Sequence, residues 1–110
     1  MAVTIKQLLA RGQKQLANRD YQAAGALFEE VVTISPETHA AWFGLGEVAQ
    51  GIGQLDTAVQ FFEQAVQLQP EQASYLQRLG ELYGRIGLEK EGLEVLQAAR
   101  RRAPKDIAVL

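Results

Sequence analysis

WFGLGEVAQGIG, residues 42–53, contains in GLGEVA (44–49) the G-x-G-x-x-G/A spacing of a dinucleotide-binding turn, and a second G-I-G follows at once. Such a turn needs a β-strand immediately before its first glycine and a helix opening after it, so that backbone amides can meet a pyrophosphate. The residues upstream, SPETHAAWF (35–43), read as a helix start: Ser35 can cap it, and Pro36 suits a first turn, where no amide proton is required. From there Trp42, Leu45, Val48, Ala49 and Ile52 recur at helical spacing. Gly44 and Gly46 then lie inside a helix and Gly51 and Gly53 near its end, which leaves no phosphate loop and asks what the glycines are for.

An internal repeat answers that. Pro36, Pro70 and Pro104 are each 34 residues apart, and other positions keep the same period: Gly12, Gly46 and Gly80; Leu8, Trp42 and Leu76; Ala24, Ala58 and Gly92; Phe28, Phe62 and Leu96; Val31, Ala65 and Ala99. Small residues align with small and bulky with bulky. Gly46 thus belongs to a slot used three times, where two helix backbones approach too closely for a side chain. Within each period an apolar-periodic segment ends in a short turn, at 18–20, 51–54 and 86–88. A second segment then starts near Tyr21, Leu55 and Glu89, with Asp20 a plausible N-cap for the first. Six helices in three pairs result. One pair buries too little surface to offset an ordering entropy of roughly 1–2 kcal/mol per residue, so the pairs must stack.

The middle unit, with Trp42, Leu45, Gly46, Ala58, Phe62 and Pro70, resembles the tetratricopeptide repeat pattern W-x2-L-G, A-x3-F, P. The resemblance extends over units 5–38, 39–72 and 73–106. The first departs most, with Arg11 for the leucine and Gln15 for the aromatic. It implies an all-α fold, an α-solenoid of three antiparallel helix pairs in one domain spanning 1–110. The first (A) helices would line a concave groove and the second (B) helices the convex outside. It also implies a non-enzymatic module for protein–protein interaction.

The third, seventh, tenth and fourteenth positions of each A helix meet the preceding unit. They are apolar in the second unit (Ala41, Leu45, Val48, Ile52) and the third (Tyr75, Leu79, Leu82, Ile86) but polar in the first (Gln7, Arg11, Lys14, Asn18). A polar face is what a terminal, solvated cap needs, so the first unit reads as the start of the stack. Ile107, Ala108, Val109 and Leu110 fall where a fourth A helix would begin, a stub that suggests the N-terminal part of a longer protein. Arg100 and Arg102 replace Val32/Val66 and Ile34/Leu68, and can solvate an exposed end or favour a helix C-terminus.

Composition excludes much. A chain of 110 residues, 47% hydrophobic, makes about one globular domain, and a net charge of −2 sets up no field for nucleic acid or anionic lipid. The run Arg100, Arg101, Arg102 and Lys105 lacks the interleaved aromatics of a nucleic-acid surface. No cysteine means no disulfide, thiol nucleophile or thiolate metal site, and suits a reducing cytoplasm. The N-terminal residues form neither a signal peptide nor a spanning helix. The single histidine, His39, opens a helix without catalytic company, and alone it cannot assemble a transition-metal site. Glu29 and Glu30 diverge by about 100° on a helix and read as a solvated face. Neither metal nor cofactor is expected.

What remains is a binding surface, placed by the resemblance on the inward positions of the A helices. They are Lys6, Leu9, Gln13, Leu16 and Ala17; Ala40, Phe43, Glu47, Gln50 and Gly51; and Ser74, Gln77, Glu81, Gly84 and Arg85, with Arg78 beside them. Leu9, Leu16 and Phe43 form an apolar end suited to an anchor side chain, and Glu47, Glu81, Arg78 and Arg85 a charged end. Phe43 has two readings, contact with a ligand or packing on the neighbouring A helix. The family's carboxylate clamp is mostly missing: Leu9, Gln13, Gly44 and Ser74 stand where two lysines and two asparagines would be required, and only Arg78 matches. A protein or peptide partner is expected, with self-association through the C-terminal end, or a targeting module attached to a downstream enzyme domain, as alternatives.

Overall fold

In the computed structural model, which describes residues 3–103, six helices follow one another. They are α1 (Ile5–Ala17), α2 (Tyr21–Ile34), α3 (His39–Gly51), α4 (Leu55–Leu68), α5 (Ala73–Arg85) and α6 (Glu89–Arg102), and no strand occurs among the described residues. α1, α3 and α5 begin 34 residues apart, each pairs with the helix that follows it, and the pairs stack in chain order.

The turns repeat atom by atom. After each A helix one residue adopts positive φ: Arg19 (62°), Gly53 (84°) and Gly87 (95°). The next amide reaches back five residues, Asp20 N to Gln15 O at 2.9 Å, Gln54 N to Ala49 O at 2.9 Å and Leu88 N to Tyr83 O at 2.8 Å, satisfying carbonyls that the helix end leaves open. Glycine adopts this left-handed conformation without strain, whereas Arg19 does so against its own Cβ. Arg19→Gly is therefore expected to stabilise the domain by about 0.5–1 kcal/mol, the left-handed cost less glycine's added chain entropy. A urea titration of both proteins reads this as a shift in midpoint at constant slope.

Asp20 caps α2 through the Ala23 amide at 3.2 Å, and Thr4 and Gln7 close a reciprocal capping box on α1. Ser35 does not cap α3. It ends α2, its amide bonded to Val31 O at 2.7 Å, and Pro36 lies in the turn, so α3 starts three residues later than the sequence suggests. The Ser35 hydroxyl donates to Glu37 and accepts from Thr38, which ties the turn down locally.

The core is a line of bulky B-helix residues set into glycine slots on the A helices. Phe28 is 0% exposed, and its ring lies between α1 and α3: a Cβ built on Gly12 would stand 2.7 Å from it, and one on Gly44 2.6 Å. Gly46 faces Phe62 in the same way, and Gly80 faces Leu96 together with the Gly92 carbonyl. The repeated glycines thus admit a side chain of the partner helix in all three pairs, and the close approach of backbones expected there is found at Gly80, whereas at Gly12 and Gly46 a phenylalanine ring takes the space. Of the faces that meet a preceding unit, Ala41, Leu45, Tyr75, Leu79 and Leu82 are buried, while Gln7, Arg11, Lys14 and Asn18 are exposed. Ile52 departs from the expected pattern: it lies past the end of α3 and is 52% exposed.

Candidate interaction groove

α1, α3 and α5 carry the residues of the expected inner face. Lys6, Gln13, Ser74, Gln77, Glu81 and Arg85 are exposed on it, and Leu9, Leu16, Ala40, Phe43, Glu47, Gln50 and Arg78 are half-buried. At the α1 end Leu9 and Leu16 lie against the Phe28 core, so their outer surfaces form a shallow apolar floor beside exposed Gln13. At the α5 end Ser74 receives a weak bond from Gln72, and Gln77 and Glu81 approach each other at 3.5 Å.

The middle of the face is an inter-unit lock. The Phe43 ring stacks on Tyr75, centroids 4.4 Å apart, and lies 5.0 Å from Phe62. The Arg78 guanidinium covers Phe43 at 5.4 Å while donating to Glu47 at 3.0 Å and to Gln50 at 3.0 Å. Beyond the stack, His39 Nδ1 and the Tyr75 hydroxyl lie 2.8 Å apart, so His39 is a half-buried link from α3 to α5 and not a free surface histidine. Burial, and secondarily the Glu47 carboxylate, push the Tyr75 phenol above its ordinary value, which keeps it a neutral hydrogen-bonding group. On the other side of α5 the Tyr83 hydroxyl donates to Glu63 of α4, and burial, reinforced by that bond, raises its phenol further. α1 and α3 approach each other more closely than α3 and α5, between which Phe43 and Tyr75 pack.

The lock bears on two expected site residues. Phe43 packs on the neighbouring A helix, so truncating it loosens α3 from α5 as well as altering the groove. Arg78 already holds Glu47 and Gln50, so the one residue matching the carboxylate clamp is engaged within the protein. Gly44 has a reason of its own to differ from the clamp's asparagine, because the Phe28 ring occupies the space of any side chain there. Gly51 leaves the groove set, since a side chain at that position would strike the Tyr21 ring of α2.

His39 and Tyr75 are the residues that sequence reasoning missed as part of this face. A signal existed: the locked pairs are 28 to 36 residues apart, close to one repeat, which is the separation at which successive A helices meet. Among the described residues no group of three or more His, Cys, Asp or Glu could hold a metal ion, and no helix is long and apolar enough to cross a membrane.

The tetratricopeptide repeat family model matches residues 9–73 and 48–107, and the chain belongs to that family of helical repeats, which are generally non-catalytic scaffolds for protein–protein interaction. It is 31% identical over 91 residues to a protein from Arabidopsis thaliana described as Protein CTR9 homolog, covering 79% of this chain and 8% of that one. It is 26% identical over 89 residues to Anaphase-promoting complex subunit 3 of Schizosaccharomyces pombe, covering 81% and 13%. Among solved structures, a Thermobaculum terrenum O-GlcNAc transferase mutant superposes with a TM-score of 0.86 at 27% identity, over 94% of this chain and 21% of that one. The chain therefore spans a small part of the relatives it matches.

Proposed function

We propose that the inner face of α1, α3 and α5 binds an extended or helical segment of another protein. The observation that carries this reading is the combination of half-buried Leu9 and Leu16 with exposed amides and charges, on helices of which α3 and α5 are linked by Phe43, Tyr75 and Arg78. An apolar floor seats an anchor side chain, the polar rim pairs with the segment's backbone and charges, and prior rigidity lowers the entropy cost of binding. The kinship with a subunit of the anaphase-promoting complex supports a role in assembling proteins. The small fraction of each relative that is matched favours such a role within a larger protein, where the repeats would position another domain.

The test uses exposed positions outside the lock. A peptide selected on this protein from a displayed random library is expected to bind at least about tenfold more weakly to Gln13→Trp and to Ser74→Trp, each of which fills the groove, while the thermal midpoints stay unchanged. Equal affinity for the parent and both variants would remove the groove assignment.

A further inference from the structure

The far end of the stack carries a cleft of about 330 Å³ lined by Gln77, Leu96, Ala99 and Arg100. The 34-residue register identifies it, because these residues are the counterparts of Phe43, Phe62, Ala65 and Val66 in the second unit and of Leu9, Phe28, Val31 and Val32 in the first. Both earlier sets are covered by the next A helix. α3 brings Ala41 and Leu45, with Val48, onto the first, and α5 brings Tyr75, Leu79 and Leu82 onto the second. The cleft is thus shaped as the seat of a helix with apolar side chains at i, i+4 and i+7. Beside it Leu93 is 59% exposed, whereas its counterpart Val59 packs on the core.

This seat differs in charge from the two inside the protein. Arg100 stands where Val32 and Val66 stand, Gln77 replaces Leu9 and Phe43, and Arg101 is exposed next to it. Arg102 shows the kind of group this edge attracts, pairing with the Glu71 carboxylate at 3.2 Å. We infer that the α5–α6 end face binds a helix of another protein that bears apolar residues at i, i+4 and i+7 flanked by acidic ones.

A second copy of this chain fits less well. A second copy stacked head to tail would offer α1, whose outer face is Gln7, Arg11, Lys14 and Asn18, without an apolar stripe and with two cations brought toward Arg100 and Arg101. Two copies meeting end face to end face would set arginines against arginines, a like-charge juxtaposition that opposes pairing. The chain's own Ile107–Leu110 lie outside the described residues, and in the 34-residue register Val109 is the one among them that falls on a stripe position, the counterpart of Tyr75.

The test titrates two synthetic helical peptides of sixteen residues or so into the isotope-labelled full chain. Both carry Tyr, Leu and Leu at i, i+4 and i+7, copying Tyr75, Leu79 and Leu82; one has glutamates at the flanking positions and the other lysines. The glutamate peptide is expected to shift the amides of Leu93, Leu96 and Ala99 and to bind at least about tenfold more tightly than the lysine peptide. The double variant Arg100→Glu, Arg101→Glu is expected to reverse that order, and both arginines are exposed, so the fold tolerates the change. Equal affinities, no binding, or shifts confined to Gln13 and Ser74 in the groove would each overturn the inference. So would contact between Val109 and Leu96 without peptide, or a dimer in sedimentation that forms through this face. The groove variant Gln13→Trp lies on α1, away from the α5–α6 end face, so the two binding surfaces succeed or fail separately.

Discussion

Phe28→Ala is expected to lower the stability of the domain by about 3–5 kcal/mol, the range for truncating a fully buried aromatic. Its position argues for the upper half of that range. The ring is 0% exposed, and the surfaces on either side of it are Gly12 and Gly44, which have no side chains that could collapse into the space it leaves. A domain of this size has about 5–15 kcal/mol in all, so the loss would be a large share. Because Phe28 is the bulky residue between α1 and α3, the damage should be greatest in the first pair and its junction with α3, as expected when each repeat touches only its neighbours. Hydrogen exchange should show α1 and α2 losing protection first, with α5 and α6 little changed.

Gly46→Ala is the second change with a large expected effect, and its sign is opposite to that of helix propensity. In an open helix alanine is favoured over glycine by about 1 kcal/mol. Here the new methyl would run into the Phe62 ring, which is 0% exposed and has no room to retreat. Overpacking of that kind costs about 1–3 kcal/mol or more, so net destabilisation is expected. Gly84 provides the internal control: it lies on α5 with nothing within 4 Å of an added Cβ, and Gly84→Ala should stabilise by about 0.5–1 kcal/mol. Opposite shifts of the two urea midpoints would separate a packed glycine from a merely helical one.

The fold was legible because the same constraint is written three times. A single GLGEVA is ambiguous, but Gly12, Gly46 and Gly80 set against Phe28, Phe62 and Leu96 leave one reading, helix against helix. Turns were legible for the same reason, Gly53 and Gly87 marking the left-handed position that Arg19 also adopts. The start of α3 was less so, since Ser35 and Pro36 serve a helix end and a turn as readily as a helix start, and the choice depends on hydrogen bonds that no residue type specifies. Within the groove, residue types showed where side chains point but not how they pair. Whether Phe43 faces a ligand or Tyr75 depends on how α5 is rotated against α3, which residue types alone do not specify. Arg78 has the same history: on sequence it is a free groove cation, and in the structure Glu47 and Gln50 take it up.

All of this depends on the glycine slots being contacts between paired helices, and a double-mutant cycle between Gly46 and Phe62 probes that contact itself. Gly46→Ala should destabilise the parent yet be neutral or stabilising in a Phe62→Ala background, where the ring it strikes is gone, giving a coupling of at least about 1 kcal/mol. Effects that add to within about 0.3–0.5 kcal/mol would mean that the two residues do not meet, and that Gly46 is a glycine for some other reason.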